Sequence, residues 1–328
     1  MRSSSIIADS VFLVNLKYVK LQNETKKLFF KCLEEGRSID YFKHKVKKLW
    51  SNVNHSYLDQ EIDKYTDLIR MKNIHDKEVL RITQEGDIFE LVPTSTITGV
   101  EDKFVNQKIK EYARATKSYA YEVNKDSYLK QKVESYTNQI VPYFSTKTNE
   151  KIRDVELSTY ASMIHNTNLT RAGWNETFKN AEEVGQELFW IPYHPFSCEH
   201  CIQYQNRPLT KQEVRRIAAR GENSKGDLLH PNCKCVLTFY IPGITKFNKP
   251  RYSKDELQEQ YDIRQKINSL TLKKEKLLGD IQIQSSLGNQ DEVDKLNSIR
   301  NQINKEIREL KAALPTTQMQ KEVVVINR

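Results

Sequence analysis

The sequence predicts an α+β fold that is predominantly α. It has three parts: a helical N-terminal region, a small α/β unit stapled around a cysteine cluster, and a C-terminal coiled-coil helical hairpin. Three observations predict it. Glycine and proline number only 10 and 9 in 328 residues, which favours long helices over turn-rich β architecture. Apolar residues recur at three- and four-residue steps through most of the chain. Two short aromatic runs, Leu188–Tyr193 and Val236–Ile241, read as strands and bracket four of the five cysteines. The divisions fall at residues 1–150, 151–245 and 246–328.

In the first part, Ile7, Val11, Val14, Tyr18, Leu21, Leu28 and Cys32 give one apolar helical face that Gly36 ends. Cys32 reads as a small buried apolar residue. Ser38 is placed to cap a second helix with Ile39, Phe42, Val46, Leu49, Val53 and Tyr57 inward, so the two pair as an antiparallel hairpin. Asp87–Val92 reads as a short strand, followed by a polar loop over Pro93–Gly99. The helical pattern resumes from Glu101 to about Ile140 with Tyr112, Tyr119, Tyr128 and Tyr136 along it, read as packing residues on half-buried faces. Pro142 breaks that run.

A long helix covers Asp154–Val184, with Gly185 as its stop. Pro192 argues against Leu188–Tyr193 being a central, fully paired strand. The loop Asn206–Gly226 is basic and helix-like. Beyond Pro250, Leu257, Tyr261, Ile267, Leu270, Leu277 and Ile281 form a seam that SSLGNQ at 285–290 interrupts. Asp291 is placed to cap a second seam of Val293, Leu296, Ile299, Ile303, Ile307 and Leu310, the pattern of a coiled-coil hairpin able to self-associate. Pro315 ends it, and a short β-prone tail, KEVVVINR, follows.

Lysine and arginine outnumber aspartate and glutamate by 52 to 43, a formal charge of +9. Both signs are abundant, so this balance tolerates an anionic partner without demanding one. No apolar run approaches the roughly 18 residues of a spanning helix. The N-terminal apolar stretch is interrupted by Asp9, Asn15 and Lys17, and reads as an amphipathic helix rather than a signal peptide.

The chemistry concentrates in Cys198-Glu-His-Cys201 and, after a loop, His230-Pro-Asn-Cys233-Lys-Cys235. Two thiolates separated by two residues can chelate one ion, and a second pair from a distant loop completes a tetrahedron. The expectation is one structural Zn²⁺. Cys198 and Cys201 are the firm pair, while His230, Cys233 and Cys235 compete for two places, with His230 and Cys235 favoured and Cys233 close behind. His194 and His200 are near enough to intrude. A full protein ligand set leaves no open position for water, so the site reads as structural rather than catalytic. There is no phosphate-binding GxxxxGK[ST], no GxGxxG after a strand, no GxSxG elbow and no HExxH.

The segments FWIPYHPFSCEHCIQYQNRPLT and LLHPNCKCVLTFYIPG resemble the minor capsid (minor head, head-morphogenesis, Mu F-like) proteins of tailed bacteriophages. That family shares a long helix leading into a strand, a Cys-x-x-Cys, and a closing His-Pro-Asn-Cys-x-Cys or His-Pro-Asn-Cys-x-His. Here these features fall on Cys198, Cys201, His230, Pro231, Asn232, Cys233 and Cys235. His194-Pro195 and the helix carrying Arg171, Ala172, Asn175 and Ala181 strengthen the likeness, which covers roughly residues 155–243. Where the family often has Gly after Gln205, this chain has Asn206, which also tolerates positive φ.

The resemblance implies a non-enzymatic virion component, made in the host cytoplasm. It implies association with the phage portal protein, and with major capsid or scaffold protein, during procapsid assembly. Contact with packaged DNA and passage with it at ejection also belong to that expectation. Two alternatives compete. An HNH-type nuclease also combines Cys-x-x-Cys with a His-Asn segment, but it needs a separate general-base histidine and an open metal position. A zinc-stapled nucleic-acid-binding protein would use Arg215, Arg216 and Arg220 as a basic helix face.

Overall fold

A computed structural model describes residues 2–53, 55–73, 91–136, 140–144, 151–194, 197, 199–220, 233–243, 245–247 and 254–314. Its long first helix, α1 (Arg2–Glu34), buries Ile7, Val14, Tyr18 and Cys32 of the expected seam. Gly36 at φ +63° closes it, with Arg37 N–H returning to Cys32 O at 2.8 Å. Ser38 then caps α2 (Ile39–Ser51) by accepting from Tyr41 N–H. The second helix is shorter than its periodicity suggests. It stops at Ser51, and Tyr57 belongs to a separate helix, α3 (Ser56–Asn73).

The next helix, α4 (Ser95–Ala120), starts inside the segment expected to be a loop. Ile97 and Val100 supply the reason: both are buried in the core and draw the first turn into helix. A break at 121–124 separates it from α5 (Lys125–Ser135), whose first turn Asn124 caps. The tyrosines pack as expected. Tyr112 stacks on Phe42 at 4.2 Å, Tyr136 lies against Phe29 and Phe30, and Tyr119 meets Tyr128. The strand expected at Asp87–Val92 falls almost wholly outside the described residues.

Pro142 breaks no helix. It sits within β1 (Ile140–Phe144), which pairs antiparallel with β2 (Lys151–Glu156). The strand takes the start of the expected long helix, so α6 spans Leu157–Glu183, with Gly185 at φ +64° just after it.

Helix α6 passes through all three apolar clusters found among the described residues. Leu157, Ala161 and Ile164 join α1, α2, α4 and α5. Leu169 and Ala172 join Ile7, Ile62 and Tyr65. Trp174, Phe178 and Ala181 join the cysteine unit. A helix buried on nearly every side must satisfy its polar groups internally. Asn168 does so twice over, accepting from Val92 N–H at 2.8 Å and donating to Val92 O at 2.9 Å. Glu176, also buried, accepts from Arg70 of α3 at 2.9 Å.

The small sheet has the order β4 (Leu209-Thr210), β3 (Leu188–Trp190), β5 (Thr238-Phe239), antiparallel throughout. β3 is therefore central, contrary to expectation. Its paired residues end at Trp190, before Pro192, so the missing N–H falls outside the ladder. Two helices complete the unit, the short α7 (Glu199–Ile202) and α8 (Lys211–Arg220).

The C-terminal hairpin is α9 (Lys254–Ser286) and α10 (Gln290–Ala313). Asn289, not Asp291, occupies the cap position, and Val293, Ile303 and Ile307 are the buried part of the expected seam. The hairpin lies along α1: Lys26 pairs with Asp280 at 2.6 Å, and Asn23 donates to Glu275 O at 2.9 Å. Gly279 permits this approach, since a Cβ there would stand 2.7 Å from Asn23 Cγ. Lys276 reaches Glu156 at the end of β2.

Two expected outcomes follow from α6. A Cβ at Gly173 would overlap the Tyr65 ring, which is itself buried. Gly173→Ala is expected to lower stability by about 1–3 kcal/mol, read as a lower urea midpoint at unchanged slope. His165 Nε2 meets Ser10 Oγ at 2.8 Å, and burial pushes its imidazole down to about 4. The unfolded imidazole titrates at about 6.5 and therefore takes up its proton first. The stabilisation held by the neutral ring is thus complete above that pH and is lost as pH falls towards about 4, by up to about 3 kcal/mol. His165→Gln is expected to flatten the pH dependence of unfolding across this window.

Candidate metal centre

Residues 233–237 lead into β5 alongside α6. Their carbonyls at alternate positions are taken up by side chains from one helix face. Asn166 Nδ2 and Thr170 Oγ1 both donate to Cys233 O at 3.0 Å, Trp174 Nε1 donates to Cys235 O at 2.9 Å, and Thr177 Oγ1 donates to Leu237 O at 3.2 Å. The match is geometric. Four residues of helix advance about 6 Å, and two residues of extended chain advance about 6.6 Å.

Alternate residues of an extended chain also send their side chains the same way. Cys233, Cys235 and Leu237 enter the cluster containing Phe178, Phe189 and Val214, while Val236 enters the one containing Ile7 and Tyr65. The intervening Lys234 thus separates two thiols that share a face.

Cys201, in α7, supplies the third sulfur. The Sγ atoms of Cys201, Cys233 and Cys235 all lie within 4.8 Å of one another, and each residue is 1% exposed. Cys201 and Cys233 are 3.9 Å apart, sulfur to sulfur. A tetrahedral zinc with Zn–S bonds of about 2.3 Å has S–S edges of about 3.8 Å, so the donor set fits such an ion in kind and spacing. Of the expected ligands, Cys198 and His230 lie outside the described residues.

His194 follows β3 and is buried, with Nε2 at 3.3 Å from Cys235 Sγ. Burial pushes its imidazole down to about 4. Ser197 holds the turn beneath it, its Oγ donating to His194 O at 2.7 Å and accepting from His194 N–H at 3.2 Å. Gln205 Nε2 donates to the same Cys235 sulfur at 3.6 Å. The Gln205 N–H aimed at this sulfur favours the thiolate that ligates metal. Asn206 then adopts φ +55° and donates its N–H to Ile191 O at 2.9 Å, turning the chain from α7 towards β4. The tolerance for positive φ inferred from sequence is used.

A family model described as phage minor capsid protein 2 matches residues 129–310, more than half of the chain. The chain belongs to the phage minor capsid protein 2 family. Membership makes it a structural component of a phage capsid, and the matched span runs from α5 through the cysteine unit into α10. No curated protein matches the chain, and no solved structure does. Among the described residues, no helix of this minor capsid protein is long and apolar enough to cross a membrane.

The α6 donors were not singled out from sequence. Their signal is a recurrence of Asn, Thr, Trp and Thr at steps of four, four and three residues, which on its own also describes a solvated stripe. Arg215 and Arg216, the sequence candidates for a basic face, are exposed on α8. Trp174→Phe keeps the ring but strips Cys235 O of its indole donor. It is expected to lower stability by about 1–3 kcal/mol and to speed modification of Cys235 by a thiol reagent. Unchanged reactivity and stability would show that the indole hydrogen bond does not hold the segment.

Proposed function

We propose that this minor capsid protein is an assembly component of the phage head that docks at the portal vertex, and that its cysteine centre binds one structural Zn²⁺. The observation carrying the metal reading is the buried triad of Cys201, Cys233 and Cys235. These residues supply three thiolates, and the fourth ligand comes from Cys198 or His230. The ion contributes folding free energy to a unit whose sheet is only three short strands wide. Burial of the three cysteines favours a structural over a catalytic role, because a catalytic zinc keeps a position open to water. In this reading residues 151–245 form the stapled core, residues 1–150 the docking region, and residues 246–328 a hairpin available to a second copy or another head protein.

Elemental analysis of protein purified under reducing conditions is expected to give one zinc per chain. Cys233→Ser should bring that well below one and lower the melting temperature, while Cys32→Ser, in a different apolar cluster, leaves the zinc content unchanged. Metal-free protein as stable as the loaded form would overturn the zinc reading. Co-expression with the portal protein of the same phage tests the docking reading: a complex is expected on size exclusion, and two separate species would refute it.

A further inference from the structure

Several exposed lysines elsewhere in the described residues stand beside a carboxylate. Lys64 pairs with Glu61, Lys266 with Glu306, Lys295 with Glu292 and Lys305 with Glu309. Two adjacent helices depart from this. On α2, Phe42, Val46 and Trp50 are buried, and Lys43, Lys45, Lys47 and Lys48 are all exposed. On α4, which packs against α2, the exposed stripe is Lys103, Asn106, Lys110, Arg114 and Lys117. Among the described residues none of these eight cations makes an ion pair.

The acids that accompany them in sequence are turned away. Glu101 is buried against Tyr18 and His55, and Glu111 accepts from the buried Lys108. Asp40 and Asp102 are the exposed carboxylates left on the two helices.

We propose that the outer faces of α2 and α4 bind duplex DNA through its phosphates, without reading sequence. The α4 stripe runs roughly 21 Å along its helix, and a duplex presents one charge per about 1.7 Å of axis, so the stripe meets several phosphates at once. Seven of the eight cations are lysines, point charges suited to phosphate rather than to the bidentate base contacts that arginine makes. The inward packing holds the display rigid: Phe42 stacks on Tyr112, and Trp50 lies 4.9 Å from Phe104. Both helices lie before residue 129, outside the span matched by the family, so the proposal is independent of the zinc reading.

The test is a salt titration of the full-length protein binding a fluorescent random-sequence duplex. The wild type is expected to lose about a thousandfold or more in affinity between about 50 and about 200 mM salt. A variant with Lys43, Lys45, Lys47 and Lys48 changed to Gln should reduce the slope of log K against log salt by about 3 to 4, and an α4 variant at Lys103, Lys110, Arg114 and Lys117 should do the same. Gln at the ion-paired Lys64, Lys266, Lys295 and Lys305 should leave it nearly unchanged. Circular dichroism melts establish that each variant is folded. Equal loss in the control and α2/α4 variants, or a wild-type slope in the latter, overturns the proposal. So does wild-type protein that binds polyglutamate but not DNA, which would instead assign the surface to an acidic protein.

Discussion

Hydrogen bonds from one face of α6 hold residues 233–237 against that helix. Asn166, Thr170, Trp174 and Thr177 take up the carbonyls of Cys233, Cys235 and Leu237, all in the interior. A buried carbonyl left without a donor costs about 1–3 kcal/mol, so these contacts fix the register of the segment as well as its position. A slip of one residue would turn both cysteines away from Cys201 and bring Lys234 into an apolar cluster. The same helix receives Val92 on Asn168 and Tyr65 against Gly173. The N-terminal helices and the cysteine unit are therefore organised around one rod.

The predominance of helix, the termination at Gly36, the cap at Ser38 and the existence of a cysteine cluster were legible in the sequence, because each rests on local chemistry. What was not legible rests on contacts distant in sequence. The β1–β2 hairpin was hidden because Pro142 reads locally as a breaker, yet it is tolerated in a strand that, among the described residues, pairs on one side only. The separation of α2 from α3 was hidden because Val53 and Tyr57 continue the apolar period across it. The near-complete burial of α6 was hidden most thoroughly. Its asparagines and threonines look solvated until a second chain segment is laid against them.

Charge shows the same limit. Read along the chain, the lysines of α4 are interleaved with acids and average out. Folding separates them, sending Glu101 inward to Tyr18 and His55 and leaving Lys103, Lys110, Arg114 and Lys117 outward. The family-matched portion of this minor capsid protein thus holds the cysteine cluster, whereas the unpaired cations of α2 and α4 lie before it.

Through its bonds to Cys233 O and Cys235 O, α6 presents both cysteines to Cys201 as a single sulfur donor set. X-ray absorption at the zinc edge of the loaded, full-length protein tests it most directly. A first shell of at least three sulfurs at about 2.3 Å, completed by one sulfur or one nitrogen, is expected. A shell dominated by nitrogen and oxygen at about 2.0–2.2 Å would contradict it.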